Sequence, residues 1–161
     1  MRGSTHLLAG AVAGLCVVST NELPMIGSVT VIGLSLLGSL VPDIDIDKSG
    51  ISTVLKPLHI LISIIISPFK WGVHRGITHS LFFALLIGYP VYLINSIYGI
   101  SILLGILSHI FLDLISDGTQ LLAPFSSIVI RLAKIKTGSI GEHAVALCLL
   151  LLSVGMIIKI R

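Results

Sequence analysis

Ile100-Ser101-Ile102-Leu103-Leu104-Gly105-Ile106-Leu107-Ser108-His109-Ile110-Phe111-Leu112-Asp113-Leu114-Ile115 is an almost wholly apolar run that closes on an imidazole and a carboxylate. Membrane-crossing helices need about 20 such residues, so the run is predicted to be a transmembrane helix. His109 and Asp113 are four apart, which puts both side chains on one helix face and within reach of one cation. A charge at the bilayer centre costs roughly 3 kcal/mol on insertion scales, so Asp113 is expected near an interface or beside a partner.

Working outward, other apolar runs carry ionisable groups at the same kind of boundary. His6 opens a run over residues 5–18, where Gly10 and Gly14 form a small-xxx-small pair. A second run, 25–41, stops at Pro42 and leads into Asp43-Ile44-Asp45-Ile46-Asp47. If that segment is extended, its three carboxylates line one edge and favour a cation. His74 and His79 precede a third run, 81–97, for which Thr78 or Ser80 is a suitable helix cap. After a turn at 95–99 comes the run quoted above, and a last span covers 143–160.

Residues 51–69 are interrupted by Lys56, Pro57 and Pro68 and read as an interfacial or re-entrant helix; His59 within it reads as a packed or interfacial residue. Parity agrees, since a full crossing there would put His74 and His79 across the membrane from Asp43. Residues 125–136 alternate apolar and basic groups like a second interfacial helix. The predicted fold is therefore all-α: a single polytopic helical membrane domain over 1–161, with four to five transmembrane helices plus interfacial or re-entrant ones.

Composition agrees. Of 161 residues, 55% are apolar and 11% charged, far from the roughly one-quarter charged residues of soluble domains. Arg2, Lys48, Lys56, Lys70, Arg75, Arg131, Lys134 and Lys136 fall on one side of this topology and Lys159 and Arg161 on the other. The positive-inside bias then makes the His/Asp side cytoplasmic, N-terminus included. These basic residues are split among short loops, which argues against a nucleic-acid partner. Cys16 and Cys148 lie in apolar stretches without metal-ligand spacing and are expected to be small buried hydrophobes. The first run lacks a convincing cleavage pattern and is expected to be retained.

The densest chemistry lies in His74-Arg75-Gly76-Ile77-Thr78-His79-Ser80: two imidazoles, a guanidinium and two hydroxyls just before a helix. Arg75 can grip a phosphate through two hydrogen bonds, with Thr78, Ser80 and the helix N-terminus adding donors. The segment can hold a metal and a phosphate together.

Thr5-His6, Pro42-Asp43-Ile44-Asp45, Arg75-Gly76-Ile77-Thr78-His79-Ser80, Ser108-His109 with Asp113, and Gly138-Ser139 before Glu142 resemble, in order, the YdjM-like family of membrane-bound metal-dependent hydrolases. That bacterial and archaeal family is described as inner-membrane and hydrolytic, and one branch is associated with LexA regulation of the DNA-damage response. The resemblance implies His6, Asp43, Asp45, His79, His109 and Asp113 as metal ligands, with His74 and Glu142 next. Asp47 and Asp117 are additional carboxylates whose roles stay open.

More ligand candidates than one zinc needs make one or two ions expected, and mixed imidazole and carboxylate ligation suits Zn, Mn or Fe. The expected activity is hydrolysis of an ester or phosphoester in a lipid-like substrate such as a phospholipid or polyprenyl phosphate. Arg75, Thr78 and Ser80 would bind substrate, and Glu142 or His74 would move protons. An intramembrane metallopeptidase is disfavoured by the lack of a His-Glu-x-x-His helix. The alternative is a metal-binding or transport protein without hydrolytic activity, although transport sites are expected near the midplane. The oligomeric state is not encoded legibly.

Overall fold

A computed structural model describes residues 1–46, 49–66 and 75–160. Seven α-helices are described: α1 Gly3–Ser19, α2 Met25–Gly38, α3 Gly50–Val54, α4 Lys56–Ile66, α5 Leu81–Ile94, α6 Ser96–Leu114 and α7 Ile140–Ile160. Short 3-10 turns, Val41–Asp45 and Ile77–His79, precede α3 and α5. Among the described residues the only sheet-like pairing is one bridge between Thr119 and Ile130.

α6 is the central element and packs on α1, α2 and α5, while α7 lies against α1. Missing side chains set these approaches. A Cβ on Gly105 would lie 2.1 Å from the Ser35 carbonyl oxygen, and one on Gly38 would lie 2.4 Å from that of Ile102, so α2 and α6 touch backbone to backbone. Between α1 and α2, a Cβ on Gly14 would lie 2.9 Å from Ile32 Cα, and one on Gly10 would lie 2.5 Å from the Ser39 hydroxyl just past the end of α2. The small-xxx-small signal thus marks a real crossing, and the closer α2·α6 crossing uses residues it did not single out.

The outer surface is apolar. Leu147, Leu151 and Ile158 on α7, Leu85 and Leu93 on α5, and Met25 and Ile26 on α2 are exposed, a surface suited to hydrocarbon. Of the spans expected, α6 with 19 residues and α7 with 21 are long and apolar enough to cross a bilayer; α1, α2 and α5 are apolar but shorter. At 1.5 Å per residue, the 14-residue α2 and α5 reach only about 21 Å.

Several expectations change. Residues 41–45 form a 3-10 helix, not an extended edge, because Asp43 N–H bonds to Leu40 and Ile46 N–H to Asp43 in tight turns. Asp43 and Asp45 therefore do not share a face, and Asp47 lies outside the described residues. Residues 125–136 form no helix: Leu132 and Ile135 donate their N–H groups to the carbonyls of Leu114 and Ile115, so this segment satisfies the open end of α6. The turn expected over 95–99 contracts to Asn95, whose side chain accepts from Tyr98 N–H and caps α6. Cys16 and Cys148 are free and exposed rather than buried, and Cys148 lines an apolar cavity between α1, α6 and α7.

Residues 56–66 form α4, at 11 residues too short to cross a bilayer, which packs on α3 and the 41–45 turn. His59 bonds through Nδ1 to the Ile44 carbonyl at 2.6 Å.

Candidate metal centre

The N-terminal end of α1, the turn after α2, the turn before α5 and the C-terminal end of α6 meet at one end of the bundle. Each brings one or two ionisable groups. His6 comes from α1, Asp43 and Asp45 from the 41–45 turn, Arg75 and His79 from the approach to α5, and His109 and Asp113 from the last turns of α6. Ser80 sets the direction of α5: it caps the helix by accepting from Phe83 N–H, and its hydroxyl donates to Ile77 O.

His79 and His109 are fully buried, and their Nε2 atoms are 3.2 Å apart. Asp43 Oδ1 lies 3.6 Å from the first and 3.5 Å from the second. Metal–ligand bonds of about 2.0–2.2 Å in a tetrahedral centre set neighbouring donors roughly 3.3–3.6 Å apart, so these three atoms have the spacing of one coordination face. The ring planes of His79 and His109 are 67° apart, which lets their lone pairs converge.

Proton placement points the same way. His109 Nδ1 is 2.6 Å from the Ser39 carbonyl, an acceptor only, so Nδ1 carries the proton and Nε2 keeps a lone pair. The Thr78 hydroxyl donates to Asp45 Oδ2 at 2.9 Å and therefore accepts from His79 Nδ1 at 3.0 Å. Two imidazole lone pairs and a carboxylate then face one another with no hydrogen between them, an arrangement that a cation stabilises. Imidazoles anchored through the other nitrogen are the usual supporting shell of a metal site.

Burial pushes the His79 imidazole below the ordinary histidine range, against the pull of Asp43, and so favours its neutral, ligating form. Burial likewise opposes the charge on Arg75, and its bond to Asp113 overrides this to raise the guanidinium.

A second group of potential ligands, His6, His109 and Asp113, shares His109 with the first. The His6 and His109 rings are stacked, 3.7 Å between centroids and 13° between planes. Lone pairs lie in ring planes, so these nearly parallel rings do not aim at one ion. An ion on the Asp43, His79 and His109 face also takes the one available His109 lone pair. As arranged, the described donors fit one ion on that face, with His6 as a packing neighbour whose Nε2 is 3.5 Å from Asp113 Oδ1.

Asp113 is also close to both imidazoles, its Oδ2 3.5 Å from His79 Nε2 and 3.8 Å from His109 Nε2. Arg75 Nε donates to the same oxygen at 2.7 Å, and the Met1 amine lies 3.0 Å from Oδ1. Asp45 lies one step outward, bonded to Thr78. Glu142 is buried and accepts from Thr5 Oγ1 and from the N–H groups of Arg2 and Gly138, so it ties the start of α1 to the turn before α7. His74 lies outside the described residues. Ser39 was not singled out in the sequence because it acts through its carbonyl, which any residue supplies.

The family model described as YdjM inner membrane protein matches residues 1–161, the whole chain. The chain belongs to the YdjM inner membrane protein family. No curated protein and no solved structure gives a significant match. For this YdjM family member the His/Asp cluster is accordingly an inner-membrane feature, built at the shared end of the apolar helices.

Proposed function

We propose that this protein is a multi-pass inner-membrane hydrolase in which one divalent transition metal, Zn, Mn or Fe, sits on Asp43, His79 and His109 and serves the cleavage of a phosphoester or ester in a lipid-like substrate. The observation that carries the reading is the 3.2 Å approach of two buried, lone-pair-bearing imidazole nitrogens beside the Asp43 carboxylate. Held by Asp43, His79 and His109, such an ion would supply Lewis-acid chemistry suited to hydrolysis.

The remaining roles belong to the chain. Ser39 fixes the tautomer of His109, and Asp45 through Thr78 fixes that of His79. Arg75, anchored by Asp113, is placed to hold a substrate oxyanion next to the ligand face. The hydroxyls of Thr78 and Ser80 are engaged within the protein, so the oxyanion falls to Arg75. Glu142, engaged by three donors, acts by seating α1, and through it His6, rather than by carrying protons.

The five apolar helices support an arrangement in which α1, α2, α5, α6 and α7 alternate in direction, with the N-terminus and metal face cytoplasmic and membrane lipids around the bundle. The short α1, α2 and α5 then need local bilayer thinning or tilting neighbours.

The test is turnover by detergent-purified, metal-loaded protein on phosphatidic acid, polyprenyl phosphate and uncharged lipid esters. Metal-dependent cleavage abolished by Asp43→Asn and His109→Ala is expected. Stoichiometric metal without cleavage of any of these would refute hydrolysis and favour a metal-binding or transport role.

A further inference from the structure

Asp117 has no part in the metal face, yet it is the second partner of Arg75. The guanidinium has two unlike neighbours. Its Nε donates at 2.7 Å to Asp113, which is 1% exposed, while its Nη1 lies 2.9 Å from Asp117, whose side chain is 51% exposed. The inner bond is a desolvated, charge-assisted one whose loss would leave a buried charge. The outer pair is open to solvent, and exposed pairs of this kind are held weakly.

The backbone shows that Arg75 is placed rather than tolerated. Its φ of 64° lies in the left-handed region, which non-glycine residues rarely adopt, and its carbonyl is pinned by the Gln120 N–H at 3.0 Å. Strain of this sort persists where surrounding contacts over-determine it, and it concentrates at binding sites. The guanidinium is thus fixed on its buried edge and presents the other edge outward under a carboxylate that can be exchanged.

We propose that Asp117 is an internal occupant of the anion-binding edge of Arg75, displaced when a phosphoryl oxyanion binds. The inference rests on the reading of Arg75 as the substrate-oxyanion ligand. It also names the substrate class more narrowly, because a phosphomonoester carries enough charge to displace a carboxylate and an uncharged ester does not. Asp117 therefore sets the selectivity of the site for phosphoryl groups and raises the concentration needed to fill it.

The experiment measures binding of inorganic phosphate to the full-length, metal-loaded protein in detergent, and of phosphatidic acid in nanodiscs, for wild type, Asp117→Asn, Arg75→Gln and the double variant. Arg75→Lys, which keeps the positive charge, is measured alongside in case Arg75→Gln unfolds. Asp117→Asn is expected to tighten phosphate about two- to fivefold, Arg75→Gln to abolish that binding, and Asp117→Asn to have no effect once Arg75 is gone. Tightening of both ligands means the phosphoryl group alone displaces Asp117; tightening of phosphatidic acid only means the headgroup must arrive on a lipid. Unchanged affinity in Asp117→Asn, with binding still lost in Arg75→Gln, overturns the Asp117 role and leaves the Arg75 role standing. Equal tightening with and without Arg75 reveals a general charge effect and also overturns it. No binding of either ligand by any variant removes the Arg75 reading itself.

Discussion

His79 and His109 illustrate how residues of one type take different roles from their partners. Each has one nitrogen fixed by a protein acceptor and the other turned toward Asp43, whereas His6 is turned flat against His109. Losing a supporting contact should weaken the ion without removing it: Thr78→Val and Asp45→Asn are expected to lower metal affinity about 10- to 100-fold, measured by competition with a chelating dye. Unchanged affinity in both would mean that His79 needs no orienting partner. Acid should act late. Because burial lowers the His79 pKa, its neutral form persists as pH falls past about 6.5, the ordinary histidine value. Metal should accordingly be retained through that point and lost only below it, and metal loss beginning above pH 7 in a titration would contradict this. The sequence made the ionisable residues of the site legible because such groups are rare in apolar runs. It could not separate ligands from supports, since Asp43 and Asp45 look alike until the 3-10 turn sends one to the imidazoles and the other to Thr78.

At the scale of elements, the site depends on how closely α2 and α6 approach, since Ser39 follows one helix and His109 lies on the other. Gly105→Ala places a methyl group 2.1 Å from a backbone oxygen that cannot rotate away. A loss of about 1–3 kcal/mol is expected from such overpacking, read as a lower thermal midpoint in detergent together with reduced metal content. Gly33→Ala, with open space around the new methyl, should be neutral or stabilise α2 by up to about 1 kcal/mol. Equal losses in the two variants would mean that glycine content, not the crossing, sets stability. Helix existence was legible from apolar runs and caps such as Ser80. The irregular course of residues 125–136 was not, because its backbone is held by α6 carbonyls distant in sequence, and an alternating apolar and basic pattern carries no trace of such tertiary bonds.

At the scale of the whole molecule, the apolar exterior and the gathering of charge at one end follow from one constraint. Ionisable groups leave the hydrocarbon or pair with one another, and where several helices end together they do both. The proposed alternation of the five apolar helices makes a topological prediction. Reporters placed at the N-terminus and in the loop containing Arg131 should both lie in the cytoplasm, and one placed after Lys159 should lie across the membrane. Opposite locations for the first two would contradict the stacking of His6 on His109 at one end of the bundle.

The central claim is that Asp43, His79 and His109 hold one metal ion, and elemental mass spectrometry of the detergent-purified protein tests it most directly. Wild type should carry one equivalent of a transition metal, lost in folded His79→Ala and His109→Ala variants and retained in His6→Ala. No metal after reconstitution, or equal metal in wild type and His109→Ala, would contradict the account.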